Sequence, residues 1–449
     1  MTSKVFFNSV CVAALLLIPC RADIVVVGGS SLDFSDSCDP PTYPIAQSFP
    51  LQDSTSTPLN MPNSWQGAIY DIAIDGYRGS VIYAGEYLLS SFSTPLLLKG
   101  SVVSETLSQL SLPETLAYGS FAATAIDSEG TATLIGKNQG SNSLRFSPLI
   151  CRLPSNSTQA TQLSIPSEIL GELFLIKINS DDTAILVGYN YATHQPLIYL
   201  LPKGATTPTE VSLSPEYSNS SINTISITPD GTIFLGGGYS ISSTLTPILY
   251  TLKPGNLVAT AIELLDPPAD SEVSQSASDP NGNLLFLLNS STNGGSVYKI
   301  ASGSNLGVAI PSSYTLDHLD TLVIDSRGIA TLSGHKLCSS IPFINRLNPF
   351  TAEFSNIEMP NSNFGIFISS ALGSNNEPVL VGAYFDSNQL MVIRVPPESS
   401  RATQISTPPL RYVDALYKVA IYNEEGLYDI RRLRPYYYLQ MSESQNLLN

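Results

Sequence analysis

The stretch ITPDGTIFLGGGYS, residues 227–240, combines a tight turn with an apolar run that ends in glycines. Asp230 and Gly231 favour the turn, because Asp hydrogen-bonds its own backbone and Gly accepts a positive φ. Apolar residues alternate with polar ones just before the turn, from Ile225, and form a more continuous run after it. This pattern is typical of two antiparallel strands, so the stretch predicts a β-hairpin.

The same pattern recurs along the whole chain. Its copies begin at Tyr70, Ala123, Phe174, Ile225, Ser276, Leu322, Ile366 and, more weakly, Tyr417. The turn residues are Gly79, Gly130, Asp182, Gly231, Gly282, Gly328, Asn376 and Gly426, which follow one another at intervals of 46 to 52 residues. A period this regular indicates a repeat architecture.

Each full copy contains two more predicted strands. The third strand opens with proline in five copies, as in PLICRL from Pro148, and appears without proline as VYKI from Val297 and LMVIRV from Leu390. Proline is tolerated at a strand start, where its missing N–H is not needed. A fourth strand is visible in the near-identical segments ATQLSIP from Ala160 and ATQISTP from Ala402.

Four short strands per unit of about 50 residues predict an all-β fold, a single β-propeller of four-stranded blades. One such sheet cannot bury both of its faces, whereas radial stacking against two neighbours covers them. The eighth copy has no clear third and fourth strands, but DIVVVGG from Asp23 and TYPIAQSFPLQ from Thr42 could supply them. We expect eight blades, one of them split between the termini and using an inner hairpin from the eighth copy. Seven blades with extra terminal strands are the alternative.

The N-terminal segment MTSKVFFNSVCVAALLLIPCRA has one early Lys, a short apolar run and a small residue at Ala22. We therefore expect residues 1–22 to be a signal peptide, residues 23–441 the propeller and residues 442–449 a disordered tail. A lipid anchor attached to Cys20 is an alternative, although Pro19 is a poor residue in front of a lipidated Cys. The predicted location is the periplasm, the cell surface or the extracellular space.

The composition excludes several kinds of partner. The chain has 37 acidic and 21 basic residues and a formal charge of −16 at pH 7. Such a chain repels phosphates and anionic lipid, which argues against nucleic-acid binding. No segment after the leader has the apolar length of a membrane span. We expect a monomer whose partner is a protein or a carbohydrate.

Cysteine spacing predicts neither a disulfide framework nor a metal knuckle. After the leader, only Cys38, Cys151 and Cys338 remain, an odd number with wide spacing. Cys151 and Cys338 lie at or near predicted strands, where a buried small apolar side chain is the default role.

The repeat resembles bacterial delta-60 and related β-propeller repeats. The shared features are the Asp-Gly turn, the apolar strand that ends in Gly and the later strand that runs into another turn, over most of residues 65–400. The chain has one Trp, Trp65, and no Trp-Asp pair, which argues against WD repeats. Kelch glycine pairs and sialidase Asp boxes do not recur either. The resemblance implies a secreted or surface-exposed propeller and brings no catalytic residues.

A search for catalytic and metal motifs finds none, and we predict no cofactor and no metal. The turn residues Asp127, Asp230, Asp279 and Asp325 each stand alone, which suits turn capping better than calcium binding. For His194, His318 and His335 we expect surface or core roles, although a Ser–His–Asp set assembled from several blades remains open.

One set of residues points to binding. Tyr87, Lys137, Tyr189, Tyr239, His335 and Tyr384 each follow the glycine that ends the second strand. Equivalent positions in successive blades form a ring around the propeller axis. Tyrosines there offer flat apolar area plus hydroxyls, which suits sugar or peptide binding. Packing between blades, or at strand ends, is the competing interpretation.

We therefore predict an exported, non-catalytic binding or scaffold module whose candidate ligand-binding residues are Tyr87, Tyr189, Tyr239, His335 and Tyr384. The alternative is a secreted propeller hydrolase or lyase acting on polysaccharide. That alternative requires carboxylates, or a His with a carboxylate, to converge at one pocket.

Overall fold

The computed structural model forms eight β-sheets arranged as an eight-bladed propeller, so the predicted fold class is confirmed. The structure describes residues 24–32, 42–50, 57–62, 66–89, 92–102, 104–139, 145–165, 169–217, 219–241, 244–312, 317–337, 339–360, 364–373, 375–384, 390–407 and 414–422. These residues contain no helix, and therefore no helix that could cross a membrane. The predicted signal peptide, Cys38, Cys338 and the predicted tail lie outside them.

Blades 1 to 7 follow chain order, and blade 8 closes the ring. From blade 1 to blade 8 the innermost strands are β4 (Gly67–Ile74), β8 (Gly119–Ile126), β12 (Gly171–Ile178), β17 (Ser220–Ile227), β22 (Ser271–Ser278), β26 (His318–Ile324), β30 (Gly365–Leu372) and β34 (Asp414–Tyr422). The second strands are β5 (Ser80–Leu89), β9 (Ala132–Gln139), β13 (Ala184–Asn190), β18 (Ile233–Ile241), β23 (Leu284–Ser290), β27 (Ala330–His335), β31 (Pro378–Tyr384) and β1 (Ile24–Leu32).

The third strands are β6 (Phe92–Ser101), β10 (Phe146–Leu153), β14 (Gln195–Leu201), β19 (Thr244–Leu252), β24 (Gly294–Ile300), β28 (Pro342–Asn348), β32 (Leu390–Arg394) and β2 (Thr42–Pro50). The outer strands are β7 (Ser108–Gln109), β11 (Thr161–Gln162), β15 (Thr209–Glu210), β20 (Val258–Ala261), β25 (Leu306–Ala309), β29 (Glu353–Ile357), β33 (Thr403–Gln404) and β3 (Thr57–Pro58). Blades 4 and 5 gain a fifth, parallel strand from the preceding linker, β16 (Ser212–Ser214) and β21 (Glu263–Leu264).

The closing blade joins the two ends of the chain. Its strand order is β3-β2-β1-β34, so the N-terminal segment supplies three strands and the C-terminal segment supplies the innermost one. The prediction of a split blade is confirmed. The prediction that the eighth copy supplies an inner hairpin is wrong. It supplies only the innermost strand, β34, and β1 from the N-terminal segment pairs with it as the second strand.

A β-bulge interrupts the innermost strand of every blade. The extra residues are Tyr70, Ala122, Phe174, Asn223, Ser274, Asp320, Ile368 and Tyr417. Beside the bulge, a backbone carbonyl of the innermost strand lies close to a glycine of the second strand. A Cβ on Gly136 would lie 1.9 Å from the Ser120 oxygen, and one on Gly237 would lie 1.8 Å from the Ser221 oxygen. The glycine that ends the repeat pattern is therefore required by packing rather than by turn geometry.

The core consists of apolar layers between neighbouring blades rather than one central mass. Ile82 and Leu97 of blade 1 pack with Phe121 and Leu134 of blade 2, and the same arrangement continues around the ring. Cys151 is buried in this layer, and burial raises the pKa of its thiol to about 12. This fits the small apolar role that its strand position predicts.

The turn aspartates cap their own turns, as predicted. Asp127 Oδ1 accepts hydrogen bonds from the N–H groups of Glu129 and Thr131, both at 2.9 Å. Asp279, Asp325 and Asp230 accept backbone N–H groups in the same way. Backbone donors therefore occupy these carboxylates.

Candidate functional site

The propeller has two unlike faces and an axial channel. The upper face is where the second strands end and where the first and third strands begin, at Tyr189, Gly171 and Gln195 in blade 3, for example. The lower face carries the Asp-Gly turns. All six residues of the predicted ring lie at the upper face, because each stands at or near the end of a second strand.

Strand register divides the predicted ring into two sets. Lys137, Tyr189 and His335 directly follow the glycine and pair with the first prolines of the third strands, Pro148, Pro196 and Pro342. Tyr87, Tyr239 and Tyr384 stand one residue later, after Glu86, Gly238 and Ala383. Successive strand residues face opposite sides of a sheet, so the two sets point to different sides of their blades. The expectation of one uniform ring is therefore not met.

The later set is largely used for packing. Tyr384 is 1% exposed and lies in the apolar layer between blades 6 and 7, so a ligand on the upper face could not reach it without repacking. Tyr87 is half-buried against the layer between blades 8 and 1. Tyr239 stacks on Tyr217, with ring centroids 4.3 Å apart and an angle of 14° between the planes.

Aromatic side chains gather on the upper face of blades 1 to 4. This aromatic arc consists of Phe92, Tyr118, Phe146, Tyr189, Tyr191, Tyr217 and Tyr239. The rings of Phe92 and Tyr118 are 5.0 Å apart, and those of Tyr189 and Tyr191 are 5.9 Å apart. Every member is at least partly exposed.

Polar groups hold the arc in place between blades 2 and 3. Lys137 Nζ lies 4.9 Å from the centroid of the Phe146 ring and 3.3 Å from Glu172 Oε2. Glu172 also hydrogen-bonds Tyr191, and burial together with this carboxylate raises the pKa of the Tyr191 phenol. The Tyr189 hydroxyl lies 3.0 Å from His194 Nδ1. The two tyrosines are thus fixed before any partner arrives, which lowers the entropic cost of binding.

A histidine–carboxylate cluster occupies the upper face of blade 6. His335 Nδ1 lies 3.0 Å from each carboxylate oxygen of Asp320, the bulge residue of that blade. His318 Nε2 lies 3.8 Å from Asp320 Oδ1 and 3.4 Å from the side-chain nitrogen of Asn289. Burial raises the pKa of Asp320, although His335 opposes the shift. Burial also lowers the pKa of His318.

Sequence reasoning found some of these residues and missed others. Tyr189, Tyr239 and His335 were identified because they follow the repeat glycine. Phe92, Tyr118 and Tyr217 were missed, since they lie at or before strand starts and have no fixed distance from the turn. Asp320 could have been found as a charged residue in an innermost strand, at the position where the other copies carry an uncharged residue.

No protein-family model matches the chain, and no curated protein is similar to it in sequence. Among solved structures, the Dos1 propeller aligns with a TM-score of 0.54 and 8% identity, covering 86% of this chain and 95% of that chain. YCF48 from Cyanidioschyzon merolae aligns with a TM-score of 0.49 and 13% identity, covering 76% and 98%. A YCF48 structure with a bound D1 peptide aligns with a TM-score of 0.47 and 12% identity, covering 72% and 95%. At 8% identity, the likeness to the Dos1 propeller shows the β-propeller fold alone.

Proposed function

We propose that the chain is an exported, non-catalytic β-propeller that binds a protein or carbohydrate partner on its upper face. The observation that carries this proposal is the aromatic arc, a set of seven partly exposed rings on the upper face of blades 1 to 4. Rigid tyrosines provide apolar contact area and hydroxyl groups at low entropic cost, which suits both peptides and sugars. The resemblance to delta-60-type repeats agrees with a surface-exposed, non-catalytic role.

Within the arc, Tyr191 and Tyr239 are the strongest candidates for contact with a partner. Tyr191 is 37% exposed and is held in place by Glu172. Tyr239 forms a stacked pair with Tyr217, and both rings stay partly exposed. Of the ring predicted from sequence, Tyr189 and Tyr239 belong to the arc, Tyr87 lies in the same half of the face, His335 belongs to the cluster of blade 6, and buried Tyr384 is omitted.

The test compares binding by the wild type with binding by Tyr191→Ala and Tyr239→Ala. Residues 23–449 are applied to a glycan array and to a panel of immobilised surface proteins. Tyr77→Ala is the matched control, because Tyr77 is 40% exposed but lies in a lower-face turn. We expect both arc variants to lose at least about tenfold in affinity, the scale of an aromatic contact residue. Binding that survives both changes would place the partner elsewhere.

A second candidate function rests on the His335–Asp320 pair. A histidine held by a carboxylate is a common general base, so a hydrolase or lyase acting on polysaccharide remains the alternative. The test is release of reducing ends from a polysaccharide panel by the wild type and by His335→Ala. Activity that His335→Ala abolishes, in a protein that still folds, would favour the enzyme over the binding module.

A further inference from the structure

The axial channel has a charge opposite to that of the chain as a whole. A cavity of about 640 Å³ lies along it, and all eight innermost strands contribute to its wall. The charged residues that line it in the described part of the chain are Asp71, Lys177 and Lys418. Two cations and one anion leave the lining net positive, although the chain carries a formal charge of −16.

The single carboxylate is already engaged. Lys418 Nζ lies 3.1 Å from Asp71 Oδ1, and this ion pair joins the innermost strands of blades 8 and 1. The other oxygen, Asp71 Oδ2, accepts a hydrogen bond from the Thr124 N–H at 2.7 Å. The Asp71 carboxylate therefore pairs with Lys418 and accepts a hydrogen bond from blade 2, and it forms no ion pair with Lys177.

Lys177 has no hydrogen-bond or ion-pair partner among the described residues. Its side chain is exposed to the solvent of the channel and forms part of the channel wall. Partial desolvation by the strands of the channel wall, with the nearby charge of Lys418 adding to it, lowers the pKa of the Lys177 amine to about 8. The like charges of Lys177 and Lys418 repel each other across the same cavity, and a bound anion would relieve that repulsion.

Neutral donors line the same cavity. The side chains of Gln275, Ser369 and Ser370 face it and make no hydrogen bond to the described residues. An amide and two hydroxyls can donate to several oxygens of one ligand, while a lysine supplies a point charge without demanding a fixed geometry. The cavity therefore combines the two features that an oxyanion site needs.

We propose that the axial channel is a binding site for a small oxyanion, a phosphate- or carboxylate-bearing molecule held chiefly by Lys177 with help from Lys418. The site is separate from the aromatic arc, because it lies on the axis and shares none of the arc residues. Its ligand is a small molecule even if the upper face binds a macromolecule.

Calorimetric titration of the full mature chain with inorganic phosphate and, separately, with succinate tests the site. We expect saturable binding of at least one probe and a loss of about tenfold or more in Lys177→Gln, the scale of one charge-assisted hydrogen bond. Lys253→Gln is the matched control, since it removes the same charge from an exposed turn residue, and it should bind as the wild type does. Equal affinity in Lys177→Gln and the wild type, or no binding of either probe, would overturn the proposal.

A second measurement does not depend on the folding of a variant. Trace acetylation of the wild type with acetic anhydride at about pH 8, followed by peptide mass spectrometry, compares the amines of Lys177 and Lys253. We expect the bound probe to slow acetylation of Lys177 and to leave Lys253 unchanged. If both amines react at unchanged rates in the presence of the probe, the anion does not sit at Lys177.

Discussion

His335 and Asp320 form a side-chain pair in which Nδ1 lies 3.0 Å from both carboxylate oxygens. They come from neighbouring strands of blade 6, and the bulge at Asp320 turns its side chain toward the end of the second strand. The carboxylate is almost buried, with 8% of its side chain exposed. Its charge therefore depends on His335 and on the Phe367 N–H, which donates to Oδ2 at 3.2 Å.

We expect His335→Ala to destabilise the protein by about 1–3 kcal/mol, because it leaves a buried carboxylate without its main partner. Thermal unfolding at neutral pH measures the loss. Asp320→Asn in the His335→Ala background should restore part of it, since the amide has no charge to bury. Purely additive effects of the two changes would contradict a direct interaction between these side chains.

The lowered pKa of His318 predicts a pH dependence. Burial is the main cause, the positive charge of His335 adds to it, and Asp320 and Glu272 oppose it. The pKa of His318 is 6.5 in the unfolded chain and lower in the folded protein. When the pH lies between these two values, the unfolded chain binds a proton at His318 that the folded protein does not. The free energy of unfolding therefore decreases in that window.

Removal of this titration should make the protein less sensitive to acid. We expect the melting temperature of the wild type to fall more between about pH 7.5 and about pH 5 than that of His318→Asn. The raised pKa of Asp320 acts in the opposite direction at lower pH, and His318→Asn removes one of the charges that lower this pKa. The change at Asp320 therefore also reduces the acid sensitivity of the variant. Parallel pH curves would show that His318 does not titrate differently in the two states.

The repeat glycine gives a steric prediction. In Gly136→Ala, the new Cβ would start 1.9 Å from the Ser120 carbonyl oxygen, so strands β8 and β9 must separate. We expect a loss of about 1–3 kcal/mol or more, as for other overpacked sites, measured by urea unfolding. Gly76→Ala is the control, because a Cβ added there would meet nothing within 4 Å. Similar losses in both variants would refute the steric explanation.

Lys177→Met should have a pH-dependent effect on stability. The folded pKa is about 8 and the ordinary value is 10.5, so between these values the unfolded chain holds the proton more tightly. Stability of the wild type therefore rises with pH across this window. We expect Lys177→Met to be the more stable protein at about pH 7 in a buffer without phosphate or carboxylates, with a difference that shrinks by about pH 10. A difference that does not change with pH would contradict the lowered pKa.

Ring closure predicts coupling between the two ends of the chain. Val27 and Val419 are register partners in blade 8, and both are buried in the layer shared with blade 7. We expect Val27→Ala and Val419→Ala each to destabilise the protein, with a coupling energy of about 0.5–1 kcal/mol. A double-mutant cycle from urea unfolding measures it. Additive losses of unfolding free energy would mean that the side chains of Val27 and Val419 do not stabilise each other.

The sequence alone predicted the blade count, the hairpin turns and the positions of most strands, because these features depend on local preferences. The Asp-Gly turn at Asp230 and the alternating residues around it specify a hairpin within a few residues. The regular period of the sequence then predicts an equivalent hairpin in the other repeats. Even the split closing blade followed from counting strands. The single inner strand of that blade was not predictable, since pairing of β34 with β1 joins opposite ends of the chain.

The candidate sites depended on the tertiary structure. Strand register, which a single residue shifts, placed Tyr189 and Tyr239 on different sides of their blades and Tyr384 in the core. The partners Asp71 and Lys418 lie hundreds of residues apart in sequence but 3.1 Å apart in space. Local preferences determine which blades form, whereas the stacking of blades around the axis determines which side chains meet, because those contacts have no counterpart within one repeat.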